Sequence, residues 1–222
     1  MELIMGCLLL LCFYCLSREA AAVSARMSQK KVIVVDCGHG GIDPGMIGID
    51  GLKEKEFNLA IGMKLKKALE DYGYQVVMTR ETDTGLYDED SQNKKAQDMQ
   101  KRILLIQKVD PVLTVSIHQN SYEDPAVKGP QVFYYRDSAQ GEALAKKIQE
   151  KLNENLEVER PREIKGNTTY YLLNRSPGVL NIVECGFLTN PEEAASLSSE
   201  EYQEKVAQAI ADGVKEYIEE TL

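Results

Sequence analysis

The chain is poor in the residues that most often carry chemistry. Its 222 residues include two histidines, His39 and His118. Of its five cysteines, Cys7, Cys12 and Cys15 fall within the first sixteen positions. That leaves Cys37 and Cys185, too few for a disulfide framework and read here as small buried space-fillers, with a disulfide or redox-sensitive pair as the alternative. Basic residues are also in deficit: 26 Lys and Arg stand against 35 Asp and Glu, for a net charge of −9. With no basic stripe to release counterions, nucleic acid is excluded as a partner. There are no internal repeats and no low-complexity tracts.

Long apolar runs are scarce as well. LIMGCLLLLCFYCL, from Leu3 to Leu16, is unbroken, but it matches a secretory h-region and falls short of the roughly 20 residues a spanning helix needs. Val23-Ser24-Ala25 then places small residues where a signal peptidase reads, although Glu2 makes the n-region acidic. Residues 1–25 are read as a signal peptide or, if uncleaved, an N-terminal anchor. That anchor would be the chain's one membrane contact. Residues 26–31 are a polar linker and 32–222 a single exported domain, large enough to bury a core.

Within that domain, strands and helices alternate. Strands are predicted at Val32–Asp36, Gln75–Met78, Val112–Ile117, Gln131–Tyr135, Tyr170–Leu173 and Val179–Val183. Helices are predicted at Glu56–Tyr72 (with Gly73 ending it), Lys94–Val109, Ala139–Leu152 and Glu201–Ile218. Buried runs separated by helices predict an α/β fold: one domain with a largely parallel or mixed twisted sheet of about six strands and helices on both faces.

Chemistry gathers at the strand ends, where open α/β sheets bind ligands. VIVVDCGHGG, from Val32 to Gly41, runs from an apolar strand into a glycine-flanked histidine, His39. VLTVSI delivers His118, and VLNIV delivers Glu184. Two histidines and a carboxylate suit a hydrolytic zinc site with one position left for water. The carboxylate could be Glu54, Glu56 or Glu184 on this ground alone. Glu184 better fits the base that takes a proton from water and passes it to a leaving nitrogen.

Five ordered blocks carry a resemblance: VDCGHGG, GLKEKEFNLA, MTRETD, SIHQNS and VLNIVECGFLTNPEE. They resemble the zinc-dependent N-acetylmuramoyl-L-alanine amidases of the type 3 family, and more narrowly the germination-specific amidases of the spore cortex. The resemblance implies a six-stranded sheet, one zinc ion per chain held by His39, Glu54 and His118, and Glu184 as catalytic base. It implies hydrolysis of the amide between N-acetylmuramic acid and L-alanine in peptidoglycan, on the way to muramic-δ-lactam. Cys37 stands where the family pattern commonly has proline, and Gln119 where it commonly has alanine. Arg80 and Asp83 are expected to pair with each other rather than line the groove. Asn120 is expected to orient the His118 loop, and Asp36 to support His39. The chain has no wall-binding repeat, so an accessory protein that aids activity or zinc loading is expected. Two other classes compete: a zinc exopeptidase of similar fold, which needs an arginine for a free carboxylate, and a non-catalytic wall-associated scaffold.

Overall fold

The computed structural model describes residues 31–221, so the leader reading for 1–25 and most of the 26–31 linker lie outside the described residues. Six strands form one sheet: β1 (Val32–Cys37), β2 (Gln75–Met78), β3 (Leu113–Asn120), β4 (Gln131–Tyr135), β5 (Lys165–Asn167) and β6 (Leu180–Phe187). Their order is β2-β1-β3-β6-β4-β5, and every neighbouring pair is parallel except β4 with β6. The expected mixed sheet is therefore present, with its centre at β1, β3 and β6.

Alternation along these strands divides the core in two. Ile33, Val35, Cys37, Leu113, Val115, Ile117, Val183 and Cys185 face the three long helices α1 (Glu54–Asp71), α3 (Ala139–Asn155) and α6 (Glu200–Thr221). On α1, Phe57, Ile61, Leu65 and Leu69 recur at helical spacing and are buried against the strands. Full burial of such a side chain stabilises by roughly 1.5–3 kcal/mol. Val34, Leu180 and Ile182 point the other way, toward the thinner cover of α2 (Lys94–Val109) and the short α4 (Tyr171–Arg175). A further short helix, α5 (Pro191–Leu197), precedes α6 and is capped by Asn190. Among the described residues, no helix is long and apolar enough to cross a membrane.

The structure corrects the sequence reading at one element. Tyr170–Leu173 is not a strand: residues 171–175 form α4, with Leu172 and Leu173 buried side by side. Asn167 sets the turn into it, its Oδ1 accepting from the backbone N–H of both Thr169 and Tyr170 at 2.7 Å. The sixth strand is instead β5, at Lys165–Asn167. Both His118 and Glu184 lie inside their strands rather than just past them. Cys37 and Cys185 are free and buried, as expected of space-fillers.

Where α3 crosses α6, Gly213 lets the backbones meet. An added Cβ there would stand 2.6 Å from Ile148 Cα and 2.8 Å from Ile148 N. Gly213→Ala should therefore force the helices apart and destabilise the protein by about 1–3 kcal/mol. In calorimetry this reads as a Tm lower by about 2–4 °C per kcal/mol. An unchanged Tm would show that the crossing has slack.

Candidate metal centre

Three side chains converge at the carboxyl edge of the sheet. His39 comes from the loop after β1, Glu54 from the first residue of α1 and His118 from β3. Glu54 Oε2 lies 3.2 Å from His39 Nε2, and Glu54 Oε1 lies 2.9 Å from His118 Nδ1. One ligand atom from each residue falls within 4.8 Å of the others. Glu56, the rival carboxylate, is exposed and paired with Lys53. Glu54 is thus the acid that the structure brings into contact with both histidines.

The local backbone explains why the loop is rich in glycine. His39, Gly40 and Gly41 all have positive φ, at 62°, 130° and 57°. For a histidine this conformation is costly, on the order of 1–2 kcal/mol, and needs external support. Arg102 supplies it, donating from Nη2 to the His39 carbonyl at 2.6 Å. Asp43 supplies more, its Oδ2 lying 2.8 Å from His39 Nδ1. Lys95 in turn pairs with the other oxygen of Asp43 at 2.7 Å. This arrangement commits Nδ1 outward and turns Nε2 toward Glu54, which fixes the tautomer a metal ligand requires.

Two buried arginines hold the same loop from behind. Arg102 also donates from Nη1 to Asp36 Oδ1 at 2.6 Å and to the Cys37 carbonyl at 2.7 Å, and from Nε to Asp98 at 2.6 Å. Arg80 donates to the carbonyls of Cys37, Gly38, Lys55 and Thr82. Arg80 and Asp83 therefore do not pair with each other as expected. Asp83 instead pairs with Lys55 at 2.7 Å and accepts from Gly41 N–H. Asp36 does support His39, but through Arg102. Asn120 serves its own loop, with Oδ1 accepting from Ser121 N–H and its carbonyl accepting from Leu188 N–H.

The electrostatics set the two carboxylates apart. Burial alone would raise the pKa of Glu54, but hydrogen bonds and charge from His118 and His39 drive it far below the usual carboxylate range. Burial disfavours the charged form of His118. Its hydrogen bond to Glu54 and the charges of Glu54 and Glu184 outweigh this and raise its pKa to about 9. The cluster thus favours net positive charge at its centre, as a cation site should. Glu184 lies in register with His118 on the neighbouring strand. It is 8% exposed, and its Oε2 is buried with no hydrogen-bond partner. Burial and the charge of Glu54 raise its pKa, against the opposing pull of His118 and His39, to about 7. An orphaned carboxylate oxygen beside two imidazoles is the opposite of a structural salt bridge.

His39, His118 and Glu184 open into a cleft of about 350 Å³. Met99, Tyr170, Tyr171, Leu172 and Ile182 form its apolar wall, and Asp43 and Lys95 line it too. Two nitrogen donors and one oxygen donor, close together with space beside them, fit the ligand set of a hydrolytic zinc ion. Sequence reasoning missed Asp43 and the loop-holding role of Arg102. Asp43 sits four residues after His39, and Arg102 falls among Met99, Ile103 and Ile106 on the buried stripe of α2, so both left a readable signal.

A family profile described as N-acetylmuramoyl-L-alanine amidase (Amidase_3) matches residues 33–216. The germination-specific N-acetylmuramoyl-L-alanine amidase of Bacillus subtilis is 39% identical over 194 residues, covering 86% of this chain and 81% of that protein. The solved structure of the CwlD amidase from Clostridioides difficile, in complex with the GerS lipoprotein, is 38% identical with a TM-score of 0.83. It covers 86% of this chain and 99% of that one. AmiC2 of Nostoc punctiforme matches at 34% identity and a TM-score of 0.76, covering 86% and 99%.

Arg102 is the residue on which the loop geometry converges. Burial would raise the pKa of Asp36, yet the charge of Arg102 and the hydrogen bond from Ser116 hold it below the usual aspartate range. The stability from this ionised carboxylate is present above the ordinary aspartate pKa and is lost as pH falls through the lowered value. Arg102→Lys keeps a charge but loses the fork. We expect a loss of up to about 3–5 kcal/mol, the range for breaking a buried pair, and an acid-unfolding midpoint moved to higher pH. Thermal and acid titrations followed by circular dichroism would read both, and a wild-type profile would refute the assignment.

Proposed function

The chain belongs to the N-acetylmuramoyl-L-alanine amidase family and is a peptidoglycan amidase, and from that premise we propose that His39, Glu54 and His118 hold one zinc ion while Glu184 is the general base. The convergence of the two imidazoles on Glu54 carries the metal reading. When bound, zinc supplies Lewis-acid chemistry, polarising an amide carbonyl and acidifying water.

The chain's own residues do the rest. Asp43 and Arg102 keep His39 in its ligating orientation. Glu184 offers a free Oε2 to the attacking water, takes its proton and returns it to the departing amine of L-alanine. A pKa near neutrality suits both halves of that transfer, because the group accepts and releases a proton with little penalty. Met99, Leu172 and Ile182 give the cleft an apolar side.

The exopeptidase reading finds less support. It needs an arginine free to bind a terminal carboxylate, and Arg102, the arginine lining the cleft, is already committed to Asp36, Asp98 and two carbonyls. The scaffold reading is disfavoured by the free Oε2 of Glu184. We place the activity outside the cytoplasm, in spore-cortex peptidoglycan, with residues 1–25 as export leader or anchor and 32–222 as the catalytic domain. The germination-specific relative supports the cortex assignment, and the lipoprotein-bound CwlD structure supports an accessory partner.

The decisive assay is the release of new N-terminal L-alanine from purified peptidoglycan, with and without chelator. Release that chelator abolishes and zinc restores is expected; chelator-resistant release would refute the metal role. Glu184→Gln should retain zinc and lose about 10²–10⁴-fold in kcat, the range for a general base, whereas His118→Ala should lose the zinc itself. Near-normal turnover of Glu184→Gln would remove it from the mechanism.

A further inference from the structure

The two faces of β3 act on the metal centre differently. His118 points into the cleft, while the next residue, Gln119, turns toward α1, as strand alternation requires. Gln119 is 4% exposed. Its Nε2 donates to Asn58 Oδ1 at 3.2 Å. Asn58, fully buried, donates from Nδ2 to Glu54 Oε1 at 3.2 Å and to the Gly38 carbonyl at 3.0 Å. The backbone N–H of Gln119 reaches the same Glu54 oxygen at 3.1 Å.

From this chain of contacts we propose that Gln119 is a positioning residue for Glu54, acting through the side-chain amide of Asn58; the proposal rests on the zinc-ligand reading above. A carboxamide can turn over, exchanging its oxygen for its nitrogen. If Asn58 turned, its oxygen would face the Glu54 carboxylate and the Gly38 carbonyl, two acceptors. The Gln119 amide adds a third constraint against this turn by placing a donor against the Asn58 oxygen. Asn58 and the Gln119 backbone then both aim at Oε1. Oε2 is left to Met46 N–H, at 2.8 Å, and to His39. The rotamer of the ligand carboxylate is thereby fixed before any cation arrives.

A second observation marks Gln119 as more than filling. Its own Oε1 is buried with no hydrogen-bond partner. A residue selected only for packing at this place would be apolar, since an unmet buried acceptor is destabilising. The glutamine is explained by the donor it supplies.

The test is zinc affinity of the full chain, measured by competition with a chromophoric chelator, alongside the Tm of the metal-free protein. Gln119→Met keeps the volume and removes the donor, exchanging one orphaned acceptor for another. Its metal-free Tm should stay near wild type while zinc binding weakens about 10–100-fold, as for other residues that orient ligands. Asn58→Ala should weaken binding similarly, and the double variant should be no weaker than Asn58→Ala alone, because the two act in series. If Gln119→Met folds poorly, Gln119→Ala reads the same affinity. Wild-type affinity in a folded Gln119 variant would overturn the proposal, as would losses that multiply in the double variant. Failure of the wild-type chain to bind zinc at all would instead bring down the metal reading, and this inference with it.

Discussion

Arg102 carries a charge into a region where it is 1% exposed, and an unpaired ion there would be prohibitive. Four of its five N–H groups are met by Asp36, Asp98 and the carbonyls of Cys37 and His39. The partners belong to three pieces of the site: the end of β1 (Asp36 and Cys37), the helix α2 (Asp98) and the loop that presents His39. The planar fork converts those pieces into one rigid unit. Arg80 does the same for the carbonyls of Gly38 and Lys55, on the side that leads to Glu54. A loop at positive φ has no ladder or helix to satisfy its carbonyls, so guanidinium groups take that place.

On this frame the central strand β3 serves two functions at once. Its α2-facing residues Ser116 and His118 meet Asp36 and Glu54, while its α1-facing residues Ile117 and Gln119 build the large core and touch Asn58. The close approach of β1 to β3 places Gly38 against the His118 imidazole, where any Cβ would collide with the ring. The candidate site is thus set from the sheet outward, with one strand facing both layers.

The same two histidines lower the pKa of both carboxylates, but only at Glu54 do they outweigh burial. Glu54 touches both and is held ionised; Glu184 touches neither closely enough to form a hydrogen bond and is pushed toward neutrality by burial. In the proposed function, one environment suits a ligand and the other a base. The separation follows the usual rule that direct partners favour the charged form and dry surroundings oppose it.

The sequence by itself determined much of this protein. Apolar runs and helical spacing marked the alternating elements, because burial imposes periods of two and 3.6 that survive in the text. The glycines around His39 and the histidine after VLTVSI marked the site, because a loop at positive φ and a strand end tolerate few residue types. Spacing could not choose among Glu54, Glu56 and Glu184: that depends on how a helix start folds back on two strands distant in sequence. Nor could it see that Arg80 serves carbonyls rather than Asp83, that Tyr170–Leu173 turns into helix behind the Asn167 turn, or that Gln119 faces Asn58. Those outcomes rest on contacts such as Arg102 with Asp36, 66 residues apart, and Gln119 with Asn58, 61 residues apart. Local propensity carries no record of such pairings, and only the packed sheet decides them.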